Sequence, residues 1–305
     1  RRVVGSVEGG ENTSEVFSLK ETKLLDKVKR LLKRAKMPRF LHWMGPKKYE
    51  LWHHLLALLI RELCRLSYRK TSALLRGLGF NCPSYSALCK VVKRVPRALW
   101  NALFNATAGF RATFIAAFDG TYYSRSSPSA HYLKRTKKKI PKTPVQVNAL
   151  FDTRRKKWIA LRTRLKRVHE TRDLEPLLKE APPPIVKLVV DKVADDEDTH
   201  RNLEREHHIQ PYIPIRKGVV NGMYRHKHAA FFHNKTYHRR SLIESGFGKN
   251  KRTQGGSVKN RLTRTIRTEI TLRYINDNIN LLAAILEIFN RACAASCFLF
   301  NGIIS

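Results

Sequence analysis

The segment Thr113-Phe-Ile-Ala-Ala-Phe-Asp119 marks the point where the sequence changes from helical to strand-like periodicity. A continuous apolar run of this length, followed by Gly-Thr, is typical of a buried strand. The segment Ile185-Val-Lys-Leu-Val-Val190 has the same character, and it too is followed by an aspartate, Asp191. Both aspartates are therefore predicted to stand at strand ends, where open α/β sheets collect their ligands.

Further strand and helix patterns surround these two runs. The remaining strands are predicted at Pro144–Phe151, Trp158–Leu165 and Ile209–Ile215. Helices are predicted at Arg172–Glu180, from Asp195 to about His207, and over Glu269–Phe300. Acidic residues favour a helix N-terminus, so Asp195, Asp196 and Asp198 are interpreted as caps. This alternation predicts an α/β fold for residues 111–305, with a mixed sheet flanked by helices.

The chain before Thr113 follows a helical period instead. A loose arm is predicted at residues 1–18, followed by an all-α domain over residues 19–110. Amphipathic helices are predicted within that domain at Leu19–Lys36 and Trp52–Leu66, where apolar residues recur at helical spacing.

The segment from Ser67 to Arg94 has the pattern helix, glycine-containing turn, helix. Gly77 and Gly79 are suited to ending the first helix, and Ser84 is suited to capping the second. The facing apolar stripes are predicted to be Leu74, Leu75, Leu78, Leu88, Val91 and Val92. Two interpretations stay open, an ordinary helical hairpin or a helix-turn-helix that enters the DNA major groove. The second would place three residues near DNA: Tyr85, Ser86 and Lys90.

Composition favours a nucleic-acid partner. The 305 residues contain 60 Lys and Arg against 24 Asp and Glu, a net charge of +36. Such a balance is typical of DNA- or RNA-binding proteins. An anionic membrane surface is the competing explanation, but the basic residues are spread along the chain rather than confined to one amphipathic helix. The apolar segment Ile279–Phe300 is interrupted by Glu287 and Arg291, so a buried helix is expected there rather than a membrane span.

Cysteine and histidine patterns argue against a disulfide framework and a zinc site. The chain has five cysteines, an odd number, and no Cys-x-x-Cys pair. This pattern favours a reducing compartment. Seven of the 12 histidines lie between His200 and His238 without a familiar ligand spacing. We interpret them as surface or DNA-facing residues.

A third acidic residue lies in the stretch Tyr237-His-Arg-Arg-Ser-Leu-Ile-Glu244-Ser-Gly-Phe-Gly-Lys-Asn-Lys251. Its apolar spacing predicts a short helix, which Gly246 and Gly248 are expected to fray before Lys251. Arg240 and Glu244 are four residues apart and project from one side of that helix. They form either a solvated surface ion pair or a metal-binding carboxylate beside cations that hold DNA phosphates.

Taken together, Asp119, Asp191 and Glu244 suggest a metal site. Mg²⁺ prefers a few carboxylates together with water and phosphate oxygens. Three converging carboxylates can hold two such ions, which activate an attacking hydroxyl and stabilise a leaving oxygen. Each aspartate taken alone is better explained as a turn or cap residue.

The chain resembles the insertion-sequence DDE transposases, which have a ribonuclease-H-like catalytic core. The resemblance covers roughly Phe114 to Lys251. Its most specific part is the spacing of Tyr237, Arg240, Glu244 and Lys251, which matches the family's Tyr-Arg-Glu-Lys signature at every position. Asp119 matches the family's first aspartate, and Asp191 matches the second. The helical unit ahead of the core is similar to the family's end-binding domain.

The resemblance implies metal-dependent DNA chemistry. Asp119, Asp191 and Glu244 would be catalytic and bind two Mg²⁺ ions, for which Mn²⁺ can substitute. Tyr237, Arg240 and Lys251 would hold phosphates near the cut. A homodimer would bind the terminal inverted repeats, cut them by hydrolysis and join the free 3′-hydroxyl to target DNA. The protein would be cytoplasmic and nucleoid-associated in a prokaryote.

Three rival interpretations remain at this point. The first is a structure-selective endonuclease on the same core, and the second is a catalytically decayed or domesticated DNA-binding protein. The third, an RNA-associated basic protein, explains the charge but not the three acids at strand and helix positions.

Overall fold

The computed structural model describes residues 25–41, 47–126, 134, 143–182 and 184–280. The predicted arm at 1–18, most of the basic loop between the first two strands and residues 281–300 of the predicted C-terminal helix lie outside these ranges. Up to Thr113, the regular elements of the described chain are helices. They are α1 (residues 25–34), α2 (Leu51–Leu63), α3 (Tyr68–Gly77), α4 (Tyr85–Arg94) and α5 (Arg97–Ala108).

The predicted hairpin of α3 and α4 is confirmed as a helical unit. The side chain of Ser67 accepts a hydrogen bond from the Lys70 amide, and that of Ser84 accepts one from the Ala87 amide, so both helices are capped. Gly79 takes the left-handed φ of +80° that reverses the chain. The apolar stripe of α3 was predicted too wide. Leu74 in α3 and Leu78 just after it are 42% and 43% exposed, because the buried face of α3 is narrow and consists of Thr71, Ser72 and Leu75.

The sheet has six strands in the described chain. Its main path runs β3 (Lys157–Arg164), β2 (Val145–Asp152), β1 (Thr113–Arg125), β4 (Ile185–Val189) and β5 (Gln210–Tyr212), while β6 (Ser257–Val258) pairs with the far end of β1. The strands β1, β2 and β3 are antiparallel, and β1, β4 and β5 are parallel. This is the predicted mixed sheet flanked by helices.

The prediction that Asp119 ends its strand was wrong. β1 continues to Arg125, because β2 pairs with it as far as Tyr123 and β6 pairs with Ser124 and Arg125. Asp191 does stand at the end of β4, as predicted, two residues after Val189, and it caps a short 3₁₀ turn.

The helices after β3 surround the sheet. They are α6 (Leu174–Glu180), α7 (Glu197–Arg205), α8 (Met223–Ala230), α9 (Asn234–Tyr237), α10 (Ser241–Gln254) and α11 (Thr263–Ile279). A 3₁₀ turn, Glu170–Asp173, precedes α6, and another, His238–Arg240, precedes α10. The predicted C-terminal helix begins earlier than expected and stops at Ile279, where Asn280 adopts a left-handed backbone.

Three interpretations of polar residues need correction. Asp196 caps α7 as predicted, but Asp195 is 2% exposed and is paired with Arg225 at 2.8 Å. His200 and His228 are buried rather than surface residues, and their Nδ1 atoms lie 2.9 Å apart. These polar side chains can be buried in a chain of net charge +36 because each has a polar partner in the interior.

One hydrophobic core joins the helical region to the sheet. It contains Leu55 of α2, Leu88 of α4, Trp100 of α5, Val147 of β2 and Ile270 of α11. A second core on the opposite face of the sheet packs β1 and β4 against α6 and α7. The α/β layer is therefore covered on both faces, which fixes the strands that carry the acidic residues.

Helix α10 is anchored by aromatic contacts rather than frayed by its glycines. Phe247 lies 4.9 Å from Trp158, measured between ring centroids, and Trp158 lies 4.7 Å from Tyr274. A Cβ atom on Gly246 would come within 3.1 Å of the Trp158 ring, so glycine allows this close approach. The helix continues past Lys251 to Gln254. Within the described residues, no helix is long and apolar enough to cross a membrane.

Candidate active site

Two parallel strands place the aspartates side by side. Ala117 of β1 pairs with Val189 of β4 in parallel register. Asp119 and Asp191 each follow two residues later, so the same register carries both to one level of the sheet and one face. The side chain of Asp191 also accepts a hydrogen bond from the Lys192 amide at 2.8 Å, which fixes its orientation.

The carboxylate of Glu244 is joined to Asp119 through one guanidinium. Arg240, in the 3₁₀ turn before α10, lies with its Nη2 atom 2.7 Å from Glu244 Oε1. Its Nη1 atom lies 3.5 Å from Asp119 Oδ2. The predicted ion pair between Arg240 and Glu244 is therefore present, but it is part of a larger cluster and not a solvated pair on a free helix surface.

The charges of this cluster are mutually dependent. Burial raises the pKa of Asp119, and the nearby Glu244 and Asp191 carboxylates raise it further, against the Gly120 amide and Arg240, which lower it. Burial alone would lower the pKa of Arg240, but Asp119, Glu244 and Asp191 outweigh it and raise that pKa. The three predicted acids, Asp119, Asp191 and Glu244, thus all interact electrostatically with the Arg240 guanidinium.

Tyr237 belongs to the same cluster, whereas Lys251 stands at its margin. Burial raises the pKa of Tyr237, whose side chain interacts with Arg240 and Asp191. Lys251 lies two turns after Glu244 on α10, with its Nζ atom 5.5 Å from the ring centroid of Tyr123. Burial lowers its pKa. A half-buried ammonium at this position is suited to an anion that arrives from outside.

The predicted DNA-contacting residues of α4 lie in the helical region. Tyr85 is 45% exposed and stacks against the Arg69 guanidinium, and Ser86 contacts Ser84. Lys90 lines a groove with Arg94. Among the described contacts, none joins these residues to the acidic cluster.

Glu170 is a fourth carboxylate at the site, and the sequence interpretation missed it. A Cβ atom on Gly120 would lie 2.5 Å from Glu170 Oε1, so the carboxylate occupies the space that a side chain would take. Gly120 faces the opposite side of the sheet from Asp119, and Glu170 therefore approaches Asp119 across β1. Burial raises the pKa of Glu170, and the charges of Asp119 and Asp191 raise it further. Within the described chain, Glu170 has no ion-pair partner.

Replacing Gly120 by alanine is expected to displace Glu170 and destabilise the protein by about 1–3 kcal/mol, the usual result of overpacking. The new methyl group would also meet Asn148 Oδ1 at 2.6 Å. The measurement is the urea midpoint of unfolding. Gly256→Ala is the matched control, because nothing lies within 4 Å of a Cβ atom there. Equal midpoints for the two variants would contradict this position of Glu170.

The donor set suits a hard divalent cation. Asp119, Asp191 and Glu244 offer only carboxylate oxygens, the ligands that Mg²⁺ prefers. In the described part of the chain, no three acidic, histidine or cysteine side chains converge closely enough to hold a metal in the observed arrangement. Between Asp119 and Glu244 the Arg240 guanidinium supplies the positive charge instead. The chemistry of these residues fits the metal, and in the structure the Arg240 guanidinium neutralises two of the acids.

Comparison with known proteins identifies the family. The model of the transposase DDE domain matches residues 112–278, more than half of the chain, which include every acid of the cluster. A solved piggyBac transposase synaptic complex with hairpin DNA is similar in structure, with 11% sequence identity, a TM-score of 0.44 and coverage of 87% of this chain and 73% of that one. No curated protein matches the sequence. The chain belongs to the transposase DDE domain family.

Proposed function

We propose that this protein is a transposase that cuts and joins DNA at the cluster of Asp119, Asp191 and Glu244. The observation that carries the proposal is the contact of one guanidinium, Arg240, with both Asp119 and Glu244. The parallel register of β1 and β4 supports adding Asp191. In a member of the transposase DDE domain family, three such acids are the expected catalytic set.

The fold supports finer assignments within the same proposal. Across the sheet, the antiparallel strands β3 and β2 are followed by the mutually parallel strands β1, β4 and β5. This order agrees with the ribonuclease-H-like core implied by the resemblance. The capped helices α3 and α4 agree with a helix-turn-helix that binds the element's ends. In this assignment Tyr85, Ser86 and Lys90 contact DNA.

In this proposal, Asp119, Asp191 and Glu244 would hold Mg²⁺, or Mn²⁺ in its place. When bound, the metal activates the attacking hydroxyl and stabilises the leaving oxygen. Arg240 exchanges its carboxylate partners for a DNA phosphate, which a guanidinium binds equally well in a forked geometry. Tyr237 and Lys251 hold neighbouring phosphates.

The reaction has two displacements at phosphorus. First, a water oxygen bonds to phosphorus while the P–O3′ bond breaks, which leaves a 5′-phosphate and a free 3′-hydroxyl. Then that 3′-oxygen attacks a phosphodiester of the target, and the target's own 3′-oxygen leaves with a proton. In the first step a water oxygen replaces the 3′-oxygen on phosphorus, and in the second step one phosphate ester bond replaces another. No covalent link between protein and DNA is therefore needed. Two terminal inverted repeats must be held together, which favours a homodimer.

The test is cleavage of DNA that carries the flanks of the gene. We expect the protein with Mg²⁺ to produce a nick with a free 3′-hydroxyl, detected by 3′-end extension. Glu244→Gln should abolish the nick, whereas Glu206→Gln, a change at an exposed glutamate outside the cluster, should not.

Two other results would replace the proposal. Binding to the flanks without cleavage in Mg²⁺ or Mn²⁺ would identify a decayed DNA-binding protein, with affinity that falls steeply with salt. Cleavage at branched or damaged DNA regardless of the flanks would identify a structure-selective endonuclease.

A further inference from the structure

A cavity distinct from the acidic cluster opens beside the edge strand β3. It has a volume of about 330 Å³ and is lined by residues of β3 and of helices α5 and α11. This volume falls in the range of about 300–1,000 Å³ that is usual for ligand pockets. Strand β2 separates β3 from β1, so the cavity is not part of the site that holds Asp119.

Two residues that line this cavity carry a buried donor without an acceptor. Trp100 is 4% exposed, and its indole Nε1 atom makes no hydrogen bond within the described structure. The Nε atom of Arg267 is also buried and without a partner there. Buried polar groups are normally paired, so two orphaned donors that share one cavity require an explanation. Because both can only donate, the missing group is an acceptor.

The cavity also carries positive charge without compensation. Burial lowers the pKa of Arg267, and the guanidinium groups of Arg97, Arg164 and Arg162 lower it further. Asp173 pairs with Arg164 at 2.5 Å and with Arg162 at 3.4 Å. Among the described residues, Arg97 and Arg267 have no carboxylate partner, and none of the residues lining the cavity is acidic. Arg267 is half-buried, so its unpaired charge is partly desolvated and favours binding of an ion of opposite sign.

Two helices begin at the same cavity. Arg97 is the first residue of α5 and Thr263 is the first residue of α11, and both line it. Neither helix has a side-chain cap, because the preceding residues are Pro96 and Leu262. The first amides of both helices therefore lack capping partners, and the helix dipoles favour a negative charge at these ends.

We propose that this cavity binds a phosphate group, with Arg97, Arg267 and Trp100 as its donors. A phosphate offers several acceptor oxygens, which match the forked guanidinium of arginine better than a single carbonyl does. Thr163 on the same wall adds a hydroxyl donor. The phosphate comes either from the backbone of bound DNA or from a free phosphate compound, and both sources present the same chemistry. The site does not depend on the catalytic proposal.

The first measurement is calorimetric titration of the full chain with inorganic phosphate at low ionic strength, without metal. We expect Arg267→Gln and Arg97→Gln each to raise the Kd at least about tenfold, as expected for the loss of a charge-assisted hydrogen bond. Arg167→Gln is the matched control, since it removes an exposed arginine that does not line the cavity. Arg97 is exposed, so its variant keeps the test valid if Arg267→Gln fails to fold.

The second measurement distinguishes the source of the phosphate. A 20-base-pair duplex is titrated across a salt series with the same variants. The slope of log K against log salt is negative. If the DNA backbone supplies the phosphate, Arg267→Gln reduces the magnitude of this slope by about one more than Arg167→Gln does. Selective loss of inorganic phosphate binding with an unchanged duplex slope identifies a free compound. Equal behaviour of the cavity variants and the control in both titrations would overturn the proposal.

Discussion

Replacing Asp119 by asparagine is expected to reduce the rate of DNA strand cleavage by at least about 10³-fold, while the folded protein becomes more stable. The Asp119 carboxylate lies 3.5 Å from the Arg240 guanidinium and interacts electrostatically with the carboxylates of Glu244 and Asp191. A neutral amide cannot support the charge stabilisation that a metal-assisted displacement requires, which is worth several kcal/mol, and about 1.4 kcal/mol corresponds to a tenfold change in rate.

The gain in stability follows from the sign of the pKa shift. Burial, and then the nearby carboxylates, raise the folded-state pKa of Asp119 above its ordinary value of 3.8. A raised pKa means that the protonated group favours folding below pH 3.8, and that this contribution is lost as the pH rises through the folded pKa. Asparagine stays neutral and keeps the Gly120 hydrogen bond through its Oδ1 atom. The Tm advantage of the variant should therefore be small in acid and largest near pH 7.

The control for both readouts is Asp198→Asn. Its side chain is 73% exposed and pairs with Arg201, so this change removes the same charge from a surface ion pair outside the acidic cluster. We expect it to leave cleavage unchanged and to give no Tm gain near pH 7. An Asp119→Asn protein that cleaves at the normal rate would remove this residue from the catalytic set. One that is inactive but less stable at neutral pH would show that Arg240 compensates the charge fully.

The sequence pointed to three acids that lie in one cluster of the fold, but it did not predict their exact setting. Apolar runs at Thr113 and Ile185 predict buried strands, and both are present. The end of a strand is less predictable, because it depends on partners distant in the chain. Here β2 pairs with β1 past Asp119 as far as Tyr123, and β6, more than 130 residues after the start of β1, pairs with the last two residues of β1.

Glu170 shows a second limit of sequence interpretation. It lies in a polar segment without periodicity. Its position beside Asp119 depends on Gly120 of β1, which has no side chain to fill the space that the Glu170 carboxylate occupies. A glycine directly after a candidate aspartate is the one signal that was available, since glycine in a strand often marks a close approach. The buried pair of His200 and His228 was hidden for a related reason, because α7 and α8 meet only in the folded protein.

Replacing Arg273 by methionine is expected to lower the free energy of unfolding by about 3–5 kcal/mol, the usual cost of leaving a buried charge unpaired. Arg273 is 1% exposed, and its Nη2 atom lies 2.5 Å from Glu269, with its Nε atom 3.8 Å from Glu62. Its guanidinium also donates to the carbonyls of Gly255 and Ser257, each at 2.8 Å. It thus ties α2 of the helical region to the segment that follows α10.

The measurement is the urea or thermal midpoint of the full chain, where a loss of this size corresponds to roughly 10 °C. Arg201→Met is the matched control, since it makes the same chemical change in an exposed pair with Asp198 and should cost at most about 1 kcal/mol. Adding Glu269→Gln to Arg273→Met should recover part of the loss, because the Glu269 side chain, which keeps the Lys259 and Asn260 amides but has lost its cation, is then neutral. If the double variant were less stable than the single one, the backbone carbonyls of Gly255 and Ser257, rather than the charge, would dominate. If Arg273→Met and Arg201→Met unfolded at the same midpoint, the buried network would contribute nothing to holding the helical region on the sheet.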